Sequence, residues 1–192
     1  MFSQALGVAL RILAFRAGPQ DFPYSPQLPQ VIVPLAVLAN YLVFVQALPP
    51  LMSLLMAVTA VAGLALVTRG LLRARTLDNR YNQTLSALLA CSAILSLMLL
   101  PPFTQVAPVL LKVAANPQLM DHPEALQLPQ GAAFLMNLLN IWNFAVTVYI
   151  FRQAANVGTG LGVLITVFAT LAVAFLVVFS ASIASMLLGA GK

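Results

Sequence analysis

Charged residues are scarce in this sequence. Aspartate, glutamate, lysine and arginine make up 7% of its 192 residues, whereas about a quarter of the residues in a soluble domain are charged. Hydrophobic residues make up 61%, and the mean hydropathy is +0.99. A soluble core of this length could not bury so much apolar surface. The composition therefore excludes a soluble globular domain and predicts an all-α polytopic membrane protein.

Cysteine and histidine each occur once. Cys91 lies within an apolar run, so no internal disulfide can form, and we interpret this residue as a small packing group. His122 lies beside Asp121 and Glu124 in the segment MDHPE. Three donors without further support are too few for a cation site, and we interpret the segment as a solvated polar turn. The sequence thus predicts neither a metal nor a cofactor.

Aspartate, glutamate, histidine, lysine and arginine are also missing from five long apolar segments. We predict that these segments are membrane spans, and they cover about 31–48, 51–68, 83–100, 131–151 and 161–188. Proton-coupled transport and intramembrane hydrolysis need a carboxylate, a histidine or another activating base within the membrane. The sequence therefore predicts a protein that is not an enzyme.

Prolines mark the segments that lie outside these spans. Residues 17–30 contain four prolines, which predicts an extended connector along the membrane surface. The pairs Pro49–Pro50 and Pro101–Pro102 predict a tight turn and the end of the third span. We expect one or two short interfacial helices between residues 101 and 130.

The N-terminal residues 1–16 have the pattern of an interfacial amphipathic helix. Phe2, Leu6 and Leu10 belong to a broad apolar surface, while Gln4 and Arg11 lie on the other side. The pattern predicts a helix that lies on the cytoplasmic leaflet.

Arginine occurs only in short stretches just outside the apolar segments. The seven residues are Arg11, Arg16, Arg69, Arg73, Arg75, Arg80 and Arg152. Positive charge beside spans marks the cytoplasmic side. Five spans with the N-terminus inside and the C-terminus outside place every arginine inside, and both lysines, Lys112 and Lys192, outside. The net charge of +5 then lies on one face, which argues against nucleic-acid binding and predicts contact with anionic lipid headgroups. An acidic cytoplasmic protein is the alternative partner.

Amide side chains within the spans are the main polar feature of the predicted membrane interior. Three asparagines in the fourth span lie three residues apart, and two further amides lie in the first span; they are Asn137, Asn140, Asn143, Asn40 and Gln46. We expect these side chains to face the bundle, because exposure to lipid is costly. The favoured interpretation is hydrogen bonding between helices, and a polar ligand cavity is the alternative.

Small residues recur every four positions in the last span. They are Gly158, Gly162 and Thr166, followed by Ala181, Ser185 and Gly189. This spacing favours close packing within the bundle, with a homodimer face as the lesser alternative. We expect Trp142, in the middle of the fourth span, to be buried between helices.

Two segments resemble the YIP (Ypt/Rab-interacting protein) domain family, bacterial branch. They are RYNQTLSALLACSAILSLMLLPP and WNFAVTVYIFRQAANVGTGLGVLITV, with Trp142, Ala155 and the residues from Gly158 to Gly162 matching the family pattern. The resemblance covers residues 31–188 and implies a non-enzymatic five-helix bundle. Eukaryotic members are linked to small GTPases and membrane trafficking, but the long acidic N-terminal region of many of them is missing here. GTPase binding is therefore not carried over.

The sequence as a whole predicts a multi-pass protein of the bacterial inner membrane that acts as a scaffold or membrane organiser. The alternative is a small transporter, channel or lipid-binding protein whose path is lined by the four asparagines. Homo-oligomerisation is compatible with either function.

The predicted topology can be tested by thiol labelling in intact cells. We expect an impermeant reagent to modify a cysteine placed at the C-terminus but not one placed between Arg69 and Arg80, because only the former lies outside. The opposite labelling would overturn the topology.

Overall fold

The computed structural model describes residues 2–25, 27–121, 126 and 128–189. This part of the chain is helical and contains no strand. Six α-helices follow one another: α1 (Phe2–Leu13), α2 (Leu28–Phe44), α3 (Pro50–Ala74), α4 (Tyr81–Ala115), α5 (Gln130–Ala154) and α6 (Thr159–Gly189). His122, Glu124 and Lys192 lie outside the described residues, so the predictions made for them stay predictions.

Four of the helices are long and apolar enough to cross a membrane, namely α3, α4, α5 and α6. Helix α2 is shorter, because its 17 residues extend about 26 Å, against about 30 Å for a hydrocarbon core. It ends at Phe44 and is followed by a turn, although the predicted first span continues to residue 48. The structure thus has the helical architecture of a membrane protein with four candidate spans.

Helix α4 continues through Pro101 and Pro102, so the prediction that the third helix ends there is wrong. The side chains of Thr104 and Gln105 both donate hydrogen bonds to the carbonyl of Pro101, at 2.8 and 3.4 Å. Pro102 is buried, so packing also supports the helical course, as it does in other membrane helices that contain proline. The predicted interfacial helices are replaced by this extension and by a 3-10 turn at Pro117–Asp121.

The proline-rich connector packs against the beginning of α4 instead of running extended over lipid. The Gln83 side chain donates hydrogen bonds to the carbonyls of Gln20 and Phe22, at 3.3 and 2.8 Å. Phe22 is only 1% exposed. A 3-10 turn at Pro19–Asp21 shortens the connector further. The connector that leads into α2 is thereby held beside the beginning of α4.

Three helices end in the same hydrogen-bonded motif. After α1, α3 and α5, the residue at the turn has a positive φ, of 58° at Phe15, 57° at Thr76 and 52° at Asn156. In α1, the amide of Phe15 donates to the carbonyl of Ile12, and the amide of Arg16 donates to that of Arg11. This pair of bonds defines a Schellman motif, which satisfies carbonyls that the helix leaves free.

Helix α4 lies at the centre of the bundle, in contact with α1, α2, α3 and α5, while α6 packs on α3 and α5. Two glycines allow close helix packing, one between α3 and α6 and the other between α6 and α5. A Cβ added at Gly63 of α3 would lie 3.2 Å from Leu176 Cδ1, and one added at Gly162 of α6 would lie 3.1 Å from Arg152 Cβ. Thr166 is fully buried. Gly162 and Thr166 thus pack within the bundle, as the spacing predicts, whereas Ser185 is exposed.

Gly63→Leu should destabilise the bundle by about 1–3 kcal/mol, because the larger side chain must push α6 away from α3. The free energy of unfolding in mixed detergent micelles measures this effect. Gly70→Leu is the matched control on the same helix, since a Cβ at Gly70 meets no atom within 4 Å. Equal stability of the two variants would contradict the packing described for α3 and α6.

Candidate functional site: a central cavity and an arginine-bearing end

Most amide side chains of the predicted spans bond to their own helix. Each donates to the carbonyl four residues earlier: Asn40 to Ala36, Gln46 to Leu42, Asn137 to Ala133 and Asn140 to Met136, at 2.8 to 3.2 Å. None of these four bonds joins two helices. Asn137 and Asn140 are exposed, so the prediction that all five amides face the bundle is wrong for these two. Bonding within the helix satisfies a donor and lowers the cost of facing lipid.

Asn40 and Asn143 line a common cavity of about 350 Å³ between α2, α3, α4, α5 and α6. Ser92, Thr147 and Thr170 also line it, and the remaining wall is apolar, with Val61, Leu64, Phe44, Leu88, Leu89, Ala60, Ala169, Val173, Ala174 and Val177. A volume of this size lies in the range of ligand sites, which are typically apolar with a few polar groups. The alternative interpretation of the asparagines, a polar cavity, therefore applies to two of them.

The polar residues of this cavity lie at a common depth. Ser92 is 11 residues from Tyr81, where α4 begins, and Thr170 is 11 residues from Thr159, where α6 begins. Asn143 is 11 residues from Ala154, where α5 ends. At 1.5 Å per residue, this places the three side chains about 17 Å from the same end of the bundle, near the middle of a hydrocarbon core of about 30 Å.

Hydrogen bonding divides the polar lining into two groups. Asn40 donates to Ala36, and the Thr147 hydroxyl donates to the carbonyl of Asn143 at 2.8 Å. Within the described residues, the structure gives no hydrogen-bond partner to the side chains of Ser92, Asn143 and Thr170. These three groups are free to bind a molecule in the cavity.

Two of the predicted contact arginines stabilise helix ends. The guanidinium of Arg80 donates to the carbonyls of Gln153 and Ala154, at 3.5 and 3.2 Å, and so caps α5. Arg152 donates to the Thr159 hydroxyl at 3.1 Å, and its guanidinium carbon lies 6.0 Å from the centre of the Tyr149 ring. Cations at the C-terminus of a helix also interact favourably with its dipole. This capping has no local sequence signal, because residues 80 and 153 are far apart along the chain.

Arg80 is itself exposed, and so are the other five arginines, whose side chains have no hydrogen bond within the described residues: Arg11, Arg16, Arg69, Arg73 and Arg75. Arg69 and Arg73 belong to the last turns of α3, and Arg75 follows its end. The predicted loop from Arg69 to Arg80 is therefore mostly helical. We call the end of the bundle where α3 and α5 finish, and α4 and α6 begin, the arginine-bearing end. The side chains of Arg69, Arg73 and Arg75 at this end can bind anions without breaking any hydrogen bond described above.

Helix α1 packs against α4. The buried residues are Ala5, Ala9, Ile12 and Leu13, whereas Phe2, Leu6 and Leu10 are exposed. The Cys91 thiol donates to the Ala9 carbonyl at 3.7 Å, about 15 Å along α4 from its first residue. Small alanines allow this close approach of the two backbones.

Aromatic residues of α5 hold the end of α1. The Trp142 indole N–H donates to the carbonyl of Leu13 at 3.1 Å, and the Tyr149 hydroxyl donates to that of Phe15 at 3.4 Å. The Phe15 ring packs edge-on against Tyr149 and lies 6.0 Å from Trp142. Trp142 is 44% exposed, so the prediction that it is buried between helices is wrong. The indole lies there because the Leu13 carbonyl, at the end of α1, needs a hydrogen-bond donor.

Trp142→Phe should loosen α1 and expose the thiol beneath it. The variant keeps an aromatic ring but loses one hydrogen bond, worth about 1 kcal/mol, so alkylation of Cys91 by membrane-permeant N-ethylmaleimide should be about fivefold faster. Phe144→Leu serves as the control, because it changes an exposed aromatic residue on the same helix. Unchanged alkylation in the Trp142 variant would contradict a role of this bond in holding α1.

No protein-family model, curated protein or solved structure matches this chain. The resemblance to the YIP family therefore stays a prediction from the quoted segments. The chemistry of the central cavity and of the arginine-bearing end is accordingly derived from the residues that form them.

Proposed function

We propose that this chain is a non-enzymatic membrane organiser of the bacterial inner membrane that binds anionic lipid headgroups through Arg69, Arg73 and Arg75. The observation that carries the proposal is the difference between the contacts that the arginines make. Arg80 and Arg152 bond to helix ends, whereas the three arginines at the end of α3 are exposed and their side chains have no hydrogen bond within the described residues. Each basic residue near an anionic surface contributes about 1 kcal/mol of attraction.

The proposed topology has five crossings, with the N-terminus inside. Helix α2 supplies the fifth crossing, because the connector that precedes it is held beside the start of α4 and the helix packs on both α3 and α4. A helix a few ångströms shorter than the hydrocarbon core is accommodated by local thinning of the bilayer. The arginine-bearing end then faces the cytoplasm, in agreement with the positive-inside rule.

In this proposal, helix α1 anchors the bundle to the cytoplasmic leaflet. Its exposed Phe2, Leu6 and Leu10 contact acyl chains of the cytoplasmic leaflet, while its alanine face packs on α4. The long side chain of Arg11 extends toward the headgroups. The helix is thus an amphipathic element that enters the leaflet beside the bundle. Membership of the YIP family is part of the proposal, and its support is the resemblance of the two quoted segments.

The triple variant Arg69→Gln, Arg73→Gln and Arg75→Gln should retain fewer anionic lipids. Native mass spectrometry after extraction in mild detergent should show a loss of bound phosphatidylglycerol on the order of tenfold, and the difference should shrink as salt is raised. Lys112→Gln is the matched control, because Lys112 lies near the other end of α4.

Equal retention of phosphatidylglycerol by the triple variant and the native chain would overturn the headgroup proposal. A mild-detergent pull-down with the same variants tests the alternative partner. Loss of an acidic cytoplasmic protein from the triple variant, with lipid retention unchanged, would assign these arginines to protein binding.

A second candidate function is lipid binding within the bundle. The observation that favours it is the central cavity, whose polar lining is offered by Asn40, Ser92, Asn143, Thr147 and Thr170. This function does not compete with headgroup binding, because the two sites are about 17 Å apart along the helices.

A further inference from the structure

The central cavity contains polar groups that the protein itself leaves without partners. The Asn143 carboxamide and the hydroxyls of Ser92 and Thr170 line it, and the described residues give them no hydrogen bond. At this depth the surroundings are lipid and apolar side chains. An amide or hydroxyl without a partner costs roughly 1–3 kcal/mol in such surroundings. A molecule that forms hydrogen bonds with these groups therefore gains binding free energy that an apolar molecule does not.

We propose that the cavity binds the polar end of an uncharged amphiphile, a glyceride-type lipid with free hydroxyl and ester groups. This inference deepens the lipid-binding function and is independent of the arginine contacts. The Asn143 carboxamide both donates to an ester carbonyl and accepts from a hydroxyl, and the hydroxyls of Ser92 and Thr170 do the same. The apolar wall around them accommodates the first part of the acyl chain.

The lining selects against charge. Its residues include no aspartate, glutamate, histidine, lysine or arginine, so a phosphate or carboxylate would lie unpaired in the middle of the membrane. Burying an unpaired ion there costs far more than the available hydrogen bonds return. Charged phospholipids are thus directed to the arginine-bearing end, and the cavity accepts neutral molecules only.

The wall also indicates how the ligand enters. Thr170 and Ala174 line the cavity and are exposed on α6, so the cavity opens toward the lipid along this helix. A molecule already dissolved in the bilayer enters sideways, without crossing the headgroup layer. Water is the competing occupant: 350 Å³ holds about ten molecules, but most of the wall offers them no hydrogen bond.

Photolabelling of the purified full chain in lipid nanodiscs tests the proposal. The probe is a monoacylglycerol with a diazirine near the glycerol end of its chain, and the comparison probe is an alkane of equal length with the same diazirine. We expect the monoacylglycerol to label peptides of α4 and α6 that line the cavity. Asn143→Leu should lower this labelling about tenfold, because it keeps the branched shape and the number of side-chain heavy atoms but removes the hydrogen bonds.

Asn137→Leu is the matched control, since Asn137 lies on the same helix, is exposed and bonds to Ala133. The pair Ser92→Ala and Thr170→Val provides a second test that preserves packing, and should also lower labelling. Native labelling by the Asn143 variant, equal labelling by the alkane, or labelling outside the cavity would overturn the proposal. Full labelling of the triple arginine variant is expected, so failure of headgroup binding and failure of this site are distinguishable.

Discussion

Lipid offers no hydrogen-bond partner to a protein, and this constraint accounts for most of the polar contacts in the bundle. The four amides Asn40, Gln46, Asn137 and Asn140 bond to their own helices, as does Thr166. A helix that satisfies its own polar side chains can face lipid or protein without further help. The bundle therefore depends for its cohesion on close packing, at Gly63, Gly162 and the alanines of α1.

The same constraint governs the helix ends. The last carbonyls of a helix lack partners within it, and α1 ends beside α5. Trp142 and Tyr149 supply the missing donors, and the positive φ of Phe15 closes the final turn. This conformation costs about 1–2 kcal/mol for a residue with a Cβ. Its persistence shows that the contacts around Phe15 outweigh the strain. Arg80 supplies donors to the last carbonyls of α5 in the same way.

Composition and spacing predicted the helical membrane architecture and the helices from α2 to α6, because apolar length is a local property. The same reasoning ended the third helix at Pro101–Pro102, since a local rule for proline cannot include the packing that buries Pro102. For the asparagines, the sequence favours hydrogen bonds between helices and offers a polar cavity as the alternative, and it places Asn137 and Asn140 on the same face as Asn143. A three-residue spacing drifts around a helix, and only the positions of neighbouring helices decide where it leaves the interior. The role of Arg80 was beyond prediction, as it depends on a contact between distant segments.

The distribution of charge connects the two proposed sites. All excess positive charge lies outside the predicted spans, so the arginine-bearing end attracts anions while the interior remains neutral. A charged group at the depth of Asn143 would have to be paired within the bundle, and no partner is present in the lining of the cavity. Separation of charge from the cavity therefore gives each site a different ligand class by electrostatics alone. Under the two proposals, anionic headgroups bind at the arginine-bearing end, and a neutral polar group binds at the centre, where the side chains of Ser92, Asn143 and Thr170 have no hydrogen-bond partner within the described residues.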